Sequence, residues 1–320
     1  MDQQVGLTAL FGAGGRATED ALRLLARNTG GVTAVVPQQA PVPAGLPWVR
    51  TVEAVAERSL GCPCCAVRLD LHRALGRLLG HRRPPAGIVV VGTAVTDPGP
   101  VLATLLCDPL LARRTRLDAT VWALDGPEAA VRVATGDGLA ATGEEAEQLA
   151  LADAVLLTGM GRLTPSARLA VERAVRAANP VATVVIGDEG DVPASWPQGT
   201  DAYSLEAVAA RLDGLAGPDA GGDGVLLVDL EGHADVAGIQ AWLQQLVRSH
   251  AADLLRLQVV CSLPGRSERW ACSAVRSFCT TGMVGPPPDG RSRIRMLAVA
   301  RNLSVGQLTA SLRHAFDGRP

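Results

Sequence analysis

The sequence has 320 residues, with 30 Lys+Arg against 32 Asp+Glu and a formal net charge of −2. That balance excludes the electrostatic footprint of a nucleic-acid or membrane-surface binder. Hydrophobic residues make up 48% and aromatic residues only 3%, so the core must be built from Ala, Val and Leu, which suits helices packed on a parallel sheet.

In chain order, "VGLTAL" (5–10), "VTAVV" (32–36), "GIVVVG" (87–92), "DATVWAL" (118–124), "DAVLLT" (153–158) and "VATVVI" (181–186) read as buried strands. Between them, "TEDALRLLARN", "AVRLDLHRALGRLL", "GEEAEQLALA" and "PSARLAVERAVRAAN" place apolar residues at helical spacing. Thr18 with Asp20, and Thr164 before Pro165, read as helix starts, and Asp97-Pro98 as a turn followed by one. This alternation predicts an α/β domain over residues 1–190, a mostly parallel sheet with helices on both faces.

Residues 191–223 are rich in Pro, Gly and Asp around the short helical pattern "SLEAVAARL" and read as a linker. Over 224–320 the order changes. "GVLLVDL", "LLRLQVVCS", "WACSAVRSF" and "SRIRMLAVA" read as strands, with helices at "VAGIQAWLQQLVRSH" and "VGQLTASLRHAF". Strands grouped between helices predict a small antiparallel α+β domain. No run reaches about eighteen apolar residues, and no basic segment precedes the short apolar stretch at the N-terminus. The expectation is a soluble cytoplasmic protein.

Two stretches carry chemistry. The first strand runs into a glycine-rich turn and a helix start, where exposed N–H groups and the helix dipole form an anion cradle. A nucleotide-binding loop of the form GxxxxGK[ST] would also supply a Lys and a hydroxyl; here Gly15 and Arg16 stand in those positions, and Ala9 replaces the first Gly. All thirty basic residues are arginine, so no lysine exists to substitute. Gly12, Gly14, Gly15 and Arg16 are left as a weak nucleotide or anion site, or as a turn that uses Gly for geometry. The second stretch is "GCPCC". Cys62, Cys64 and Cys65 put three soft ligands within a few residues, and Zn²⁺ takes thiolates tetrahedrally with a fourth ligand from elsewhere. His72 lies about two helical turns beyond Cys65, which makes it a poor candidate for that ligand. Cys62-Pro63-Cys64-Cys65 also has C-P-x-C spacing at a helix start, which suits disulfide exchange, and small cysteines also pack at crowded junctions. Cys107, Cys261, Cys272 and Cys279 are dispersed in the sequence and read as packing residues; His81 and His233 read as solvated.

The order "GAGG", "GCPCCAVRLDL", "VVVGTAVTDPGPV", "ADAVLLTGMGRL", "NPVATVVI" resembles the CobW family of P-loop GTPases of metal homeostasis, over nearly the whole chain. The resemblance implies a GTPase-like domain carrying a CxCC metal site, a CobW-type C-terminal domain, and GTP with Mg²⁺ as the family's cofactors. The thiols carry over: Cys62, Cys64 and Cys65 fill all three cysteine positions of the family motif, which binds zinc or a similar metal. The nucleotide residues do not. The family's GAGKTT reads Gly12-Ala13-Gly14-Gly15-Arg16-Ala17 here, and its Asn-Glu after the second strand reads Pro37-Gln38. Its Glu-Thr-Ser-Gly before Asp-Pro reads Gly92-Thr93-Ala94-Val95, one residue short of Asp97-Pro98. Its guanine-reading Asn-Lys-x-Asp reads Thr158-Gly159-Met160-Gly161. Phosphoryl transfer depends on positioned charge. The expectation is therefore a zinc-binding pseudo-GTPase with no catalytic residue, a fourth ligand from water or a residue such as Glu53, and a protein partner engaged through the C-terminal domain. That partner is a metal-requiring client or an intact paralogue. The alternatives are a non-catalytic regulatory protein whose cysteines are structural, and a protein with residual GTP binding.

Overall fold

The computed structural model describes residues 4–12, 15–28, 33–38, 49–51, 63–140, 143–188, 192, 196, 197, 199–215, 225–250, 253–275, 278–300, 306, 308 and 310–312. They fall into two compact units, Met1–Ala202 and Tyr203–Pro320.

Among the described residues the first unit holds seven parallel strands: β1 (Val5–Gly12), β2 (Thr33–Gln38), β3 (Val49–Thr51), β4 (Gly87–Gly92), β5 (Thr115–Asp125), β6 (Ala154–Thr158) and β7 (Thr183–Ile186), in the order β3-β2-β4-β1-β5-β6-β7. The apolar runs read as strands are all there, and β3 is an addition. Strands β4 and β6 are buried throughout, as expected where helices cover both faces. The helices are α1 (Gly15–Asn28), α2 (Pro63–Gly80), α3 (Pro98–Cys107), α4 (Pro109–Ala112), α5 (Gly126–Thr135), α6 (Gly143–Leu151) and α7 (Pro165–Ala178).

Helices α3, α4, α5 and α7 start in one way, with an oxygen-bearing cap ahead of a proline. Asp97 Oδ1 accepts from Gly99 N at 2.8 Å, Thr164 Oγ1 from Ala167 N at 3.3 Å, and Asp108 Oδ1 from Leu110 N and Leu111 N at 3.0 and 3.2 Å. Helix α1 differs: it begins at Gly15, ahead of the Thr18 expected to start it, and Thr18 stands inside the helix, buried, with its Oγ1 against the place a Cβ on Gly12 would take.

Asp108 also accepts a pairing from His72 Nδ1 at 3.0 Å. Burial raises the Asp108 pKa, but the Leu111 and Leu110 amides and His72 outweigh it, and the carboxyl sits below its ordinary 3.8. A lowered carboxylate pKa contributes stability that is complete above the ordinary value and is lost as pH falls through the native one. Asp108→Ala should therefore cost about 0.5–2 kcal/mol at neutral pH, as other lost caps do. The difference from wild type should shrink on acidification, as read by urea melts across the acid range.

Among the described residues the second unit is built on a five-stranded antiparallel sheet: β8 (Val225–Glu231), β9 (Leu254–Ser262), β10 (Arg269–Val275), β11 (Phe278–Val284) and β12 (Arg293–Ala300), in the order β11-β10-β9-β12-β8. The expected single strand "WACSAVRSF" ends at Val275, and its last residue opens β11, the edge strand. One face is apolar. Leu257, Val259, Cys261, Trp270 and Cys272 pack with Ile239 and Leu243 of α9 (Val236–His250) and with Leu308 and Leu312. Most of the expected closing helix lies outside the described residues.

The other face carries Arg256, Gln258, Arg269, Arg293 and Arg295, and it is covered too. Helix α8 (Leu205–Asp213), expected within a linker, is capped by Ser204 Oγ at 3.1 Å to Ala207 N and buries Val208, Ala209 and Leu212. Its end is tied to the sheet: Arg269 makes two hydrogen bonds to Asp213, at 2.7 and 2.9 Å, and Arg295 Nη1 donates to the Leu212 and Asp213 carbonyls at 3.0 Å each. The segment 191–223 is thus divided. Thr200 Oγ1 and Ala202 N bond the Asp118 carbonyl in the first unit, and α8 packs in the second.

Candidate functional site

In an open parallel sheet, ligands bind beyond the carboxyl ends of the strands where strand order reverses. Here that point is the end of β1, between β4 and β5. The first loop is tight. A Cβ on Gly12 would stand 2.3 Å from Thr18 Oγ1 and 3.2 Å from the Ala123 carbonyl oxygen, so only glycine fits. Gly15 and Arg16 are exposed on the first turn of α1, a cation where the dipole favours an anion. Gly14 lies outside the described residues.

After β4, Thr93 N donates to Thr96 Oγ1 at 2.8 Å. Fully buried Gln148, from α6, donates through Nε2 to the Thr93 and Thr96 carbonyls at 2.8 and 2.7 Å. Two ends of the loop are thereby held by one amide, and the Asp97 carboxylate caps α3. Gln148 is a residue that sequence reasoning passed over; its only signal was an amide on the inner side of a helical pattern.

After β6, Thr158-Gly159-Met160-Gly161 forms a short 3₁₀ turn with Gly159 at φ 67°. Met160 is fully buried, with its Sδ 2.6 Å from where a Cβ on Gly126 would stand. Asp188, just past β7, accepts from Gly159 N at 2.7 Å and from Gly161 N at 3.0 Å. Arg162 folds back over Gly159 and donates to Asp125 Oδ1 at 2.7 Å. The amides, the arginine and the carboxylates at this edge are therefore engaged with one another. Asp125, Arg162 and Asp188 were not picked out from the sequence, since their pairing spans strands 37 and 29 residues apart.

The thiol stretch opens α2. Pro63 is its first residue, and the backbones of Cys64 and Cys65 lie in its first turn. Cys62, Glu53 and the Cys64 and Cys65 side chains lie outside the described residues. Among the described residues no group of three or more His, Cys, Asp or Glu stands close enough to hold a metal, and no helix is long and apolar enough to cross a membrane. His72 points to Asp108, and His233 Nε2 pairs with Ser292 Oγ at 2.9 Å. Burial pushes the Cys107 thiol up to about 11, with Arg68 pulling the other way.

The remaining cysteines are not dispersed in space. Cys261, Cys272 and Cys279 stand on one face of adjacent strands β9, β10 and β11, because Trp270 pairs Cys261 and Ala274 pairs Cys279 across the ladders. The Sγ atoms of Cys272 and Cys279 are 2.9 Å apart. Burial raises Cys261 to about 12.

Residues 38–186 match the family model for the CobW/HypB/UreG nucleotide-binding domain; the match begins beyond the glycine-rich loop. No curated protein matches the chain in sequence. In fold the chain is similar to the Zn(II)-bound YjiA GTPase from E. coli, with TM-score 0.73 and 18% identity over 98% of this chain and 99% of that one. A Zn(II)-bound triple mutant of the YjiA GTPase gives TM-score 0.72 at the same identity and coverage.

Proposed function

Because residues 38–186 match the family model for the CobW/HypB/UreG nucleotide-binding domain, we propose that the chain is a CobW-type metal handler that works without turning over a guanine nucleotide. It takes Zn²⁺, or a related thiophilic divalent metal, as cargo on Cys62, Cys64 and Cys65. The donor set fits such a metal: three thiolates supply most of a tetrahedral shell. Cys64 and Cys65 also begin a helix, where the dipole favours the thiolate form. The similar fold bound to Zn(II) makes zinc the first metal to test.

The observation that carries the nucleotide half of the reading is the self-occupied edge after β6. There Asp188 covers the Gly159 and Gly161 amides while Arg162 spends its charge on Asp125. A guanine base or phosphate would have to displace these contacts, and no lysine exists to receive the phosphates. Titration of a fluorescently labelled guanine nucleotide with Mg²⁺ should give no saturable signal, and the protein should release no phosphate from GTP. Saturable binding in the micromolar range would overturn this half. Metal analysis of the reduced protein and its cysteine variants tests the other half.

Without turnover, the metal leaves by ligand exchange. The proposed recipient is a metal-requiring client, or an intact paralogue that the chain regulates, met through the C-terminal unit.

A further inference from the structure

The C-terminal unit holds a second set of thiols, and its geometry differs from that of a metal site. Cys272 on β10 is fully buried, Cys279 on edge strand β11 is exposed, and their sulfur atoms are 2.9 Å apart. A disulfide bond is about 2.05 Å long, so small side-chain rotations separate the dithiol from a bridge. The two residues are diagonal neighbours: Cys272 pairs with Thr281, and Cys279 with Ala274.

Beside them is a cavity of about 510 Å³ between α9 and the sheet, lined by both cysteines, Leu243, Leu257, Ala274 and Arg248. It offers room for a small thiol reagent and a cation for an acidic one. Although Cys261 shares the face, no group of three or more His, Cys, Asp or Glu among the described residues is arranged to hold a metal.

We propose that Cys279 and Cys272 form a redox modification site that reacts with low-molecular-weight disulfides, Cys279 attacking and Cys272 resolving. The Cys279 thiolate attacks one sulfur of the reagent RSSR. Its S–S bond breaks, RS⁻ leaves with the bonding electrons, and a Cys279–S–S–R mixed disulfide forms. Cys272 then loses its proton to the departing thiolate and attacks the Cys279 sulfur; the mixed S–S bond breaks, the second RS⁻ leaves with its electrons, and it takes from solvent the proton that Cys279 had given up. In sum, two protein thiols lose two electrons and two protons, and one RSSR becomes two RSH.

The electrostatics assign the same roles. The hydrogen bond from Cys272 holds the Cys279 thiol below its ordinary value against the pull of burial, which favours its thiolate. The bond it makes to Cys279, together with burial and the neighbouring Cys279 and Cys261 thiols, keeps Cys272 protonated until the exchange reaches it.

The test uses the full chain, reduced and then exposed to oxidised glutathione at neutral pH. Free thiols are blocked with N-ethylmaleimide, and the protein is digested with trypsin without reductant. Because cleavage falls after Arg269, Arg276 and Arg291, Cys272 and Cys279 leave on separate peptides, 270–276 and 277–291. Wild type should yield these two peptides joined. Cys272→Ser should instead retain glutathione on Cys279, and Cys279→Ser should give neither the joined pair nor an adduct on Cys272. Should Cys272→Ser fail to fold by circular dichroism, Cys272→Ala replaces it with the same expected adduct. Wild-type peptides that stay separate, with Cys279 carrying maleimide, would overturn the proposal. So would a glutathione adduct as persistent in wild type as in the Cys272 variants.

Discussion

Replacing Cys62, Cys64 and Cys65 together by serine is expected to remove all bound zinc from the reduced, anaerobically purified chain, while wild type holds one exchangeable metal per molecule. Serine cannot supply a thiolate, and a water-filled shell of neutral oxygens binds Zn²⁺ far more weakly than three Cys ligands. The free energy of such sites is large, about 10–16 kcal/mol for structural zinc in zinc-finger peptides at neutral pH. Elemental analysis and competition with a chromophoric chelator read the loss.

The mode of loss in wild type separates a cargo site from a structural one. Exchange with chelator while the fold is intact supports delivery, whereas metal that comes off only on unfolding means the thiols hold the fold together. Because the ligands bind as thiolates, affinity should fall as pH is lowered. Absence of metal from both proteins would sink the cargo reading and leave the nucleotide prediction standing by itself. Metal retained in full by the variant would mean that Cys62, Cys64 and Cys65 are not the site.

The largest stability effect is expected at Asp213→Ala. Arg269 is nearly buried, with its side chain 7% exposed, and both its terminal nitrogens bond the Asp213 carboxylate, itself 15% exposed. Its Nε donates to the Gly285 carbonyl at 3.0 Å. Removing the carboxylate leaves a buried guanidinium short of its charge partner, which costs about 3–5 kcal/mol. Against a typical domain stability of about 5–15 kcal/mol, that is enough to threaten the C-terminal unit. The double variant Asp213→Leu/Arg269→Met should recover much of the loss, since an apolar pair leaves no orphaned charge. Urea melts that follow the C-terminal transition decide it. A cost under about 1 kcal/mol, the worth of an exposed ion pair, would mean that α8 is held by Val208, Ala209 and Leu212 instead.

The sequence by itself determined the strand–helix alternation, the parallel sheet, the antiparallel C-terminal unit, the helix starts at Thr164 and Asp97, and the likeness to the nucleotide-binding domain whose family model residues 38–186 match. All of these are written in short-range periodicity, in a cap next to a proline, or in the order of motifs along the chain. What it could not convey was how charges and thiols far apart in sequence are spent. That α8 belongs to the second unit depends on Asp213 meeting Arg269 and Arg295. The occupied edge after β6 depends on Asp125, Arg162 and Asp188 arriving from three different strand ends. Cys272 and Cys279, taken from the sequence as packing residues, became a pair only when β10 and β11 folded into register. Each such contact joins side chains whose neighbours in sequence look ordinary, because pairing across a sheet is set by register and strand order and not by local spacing.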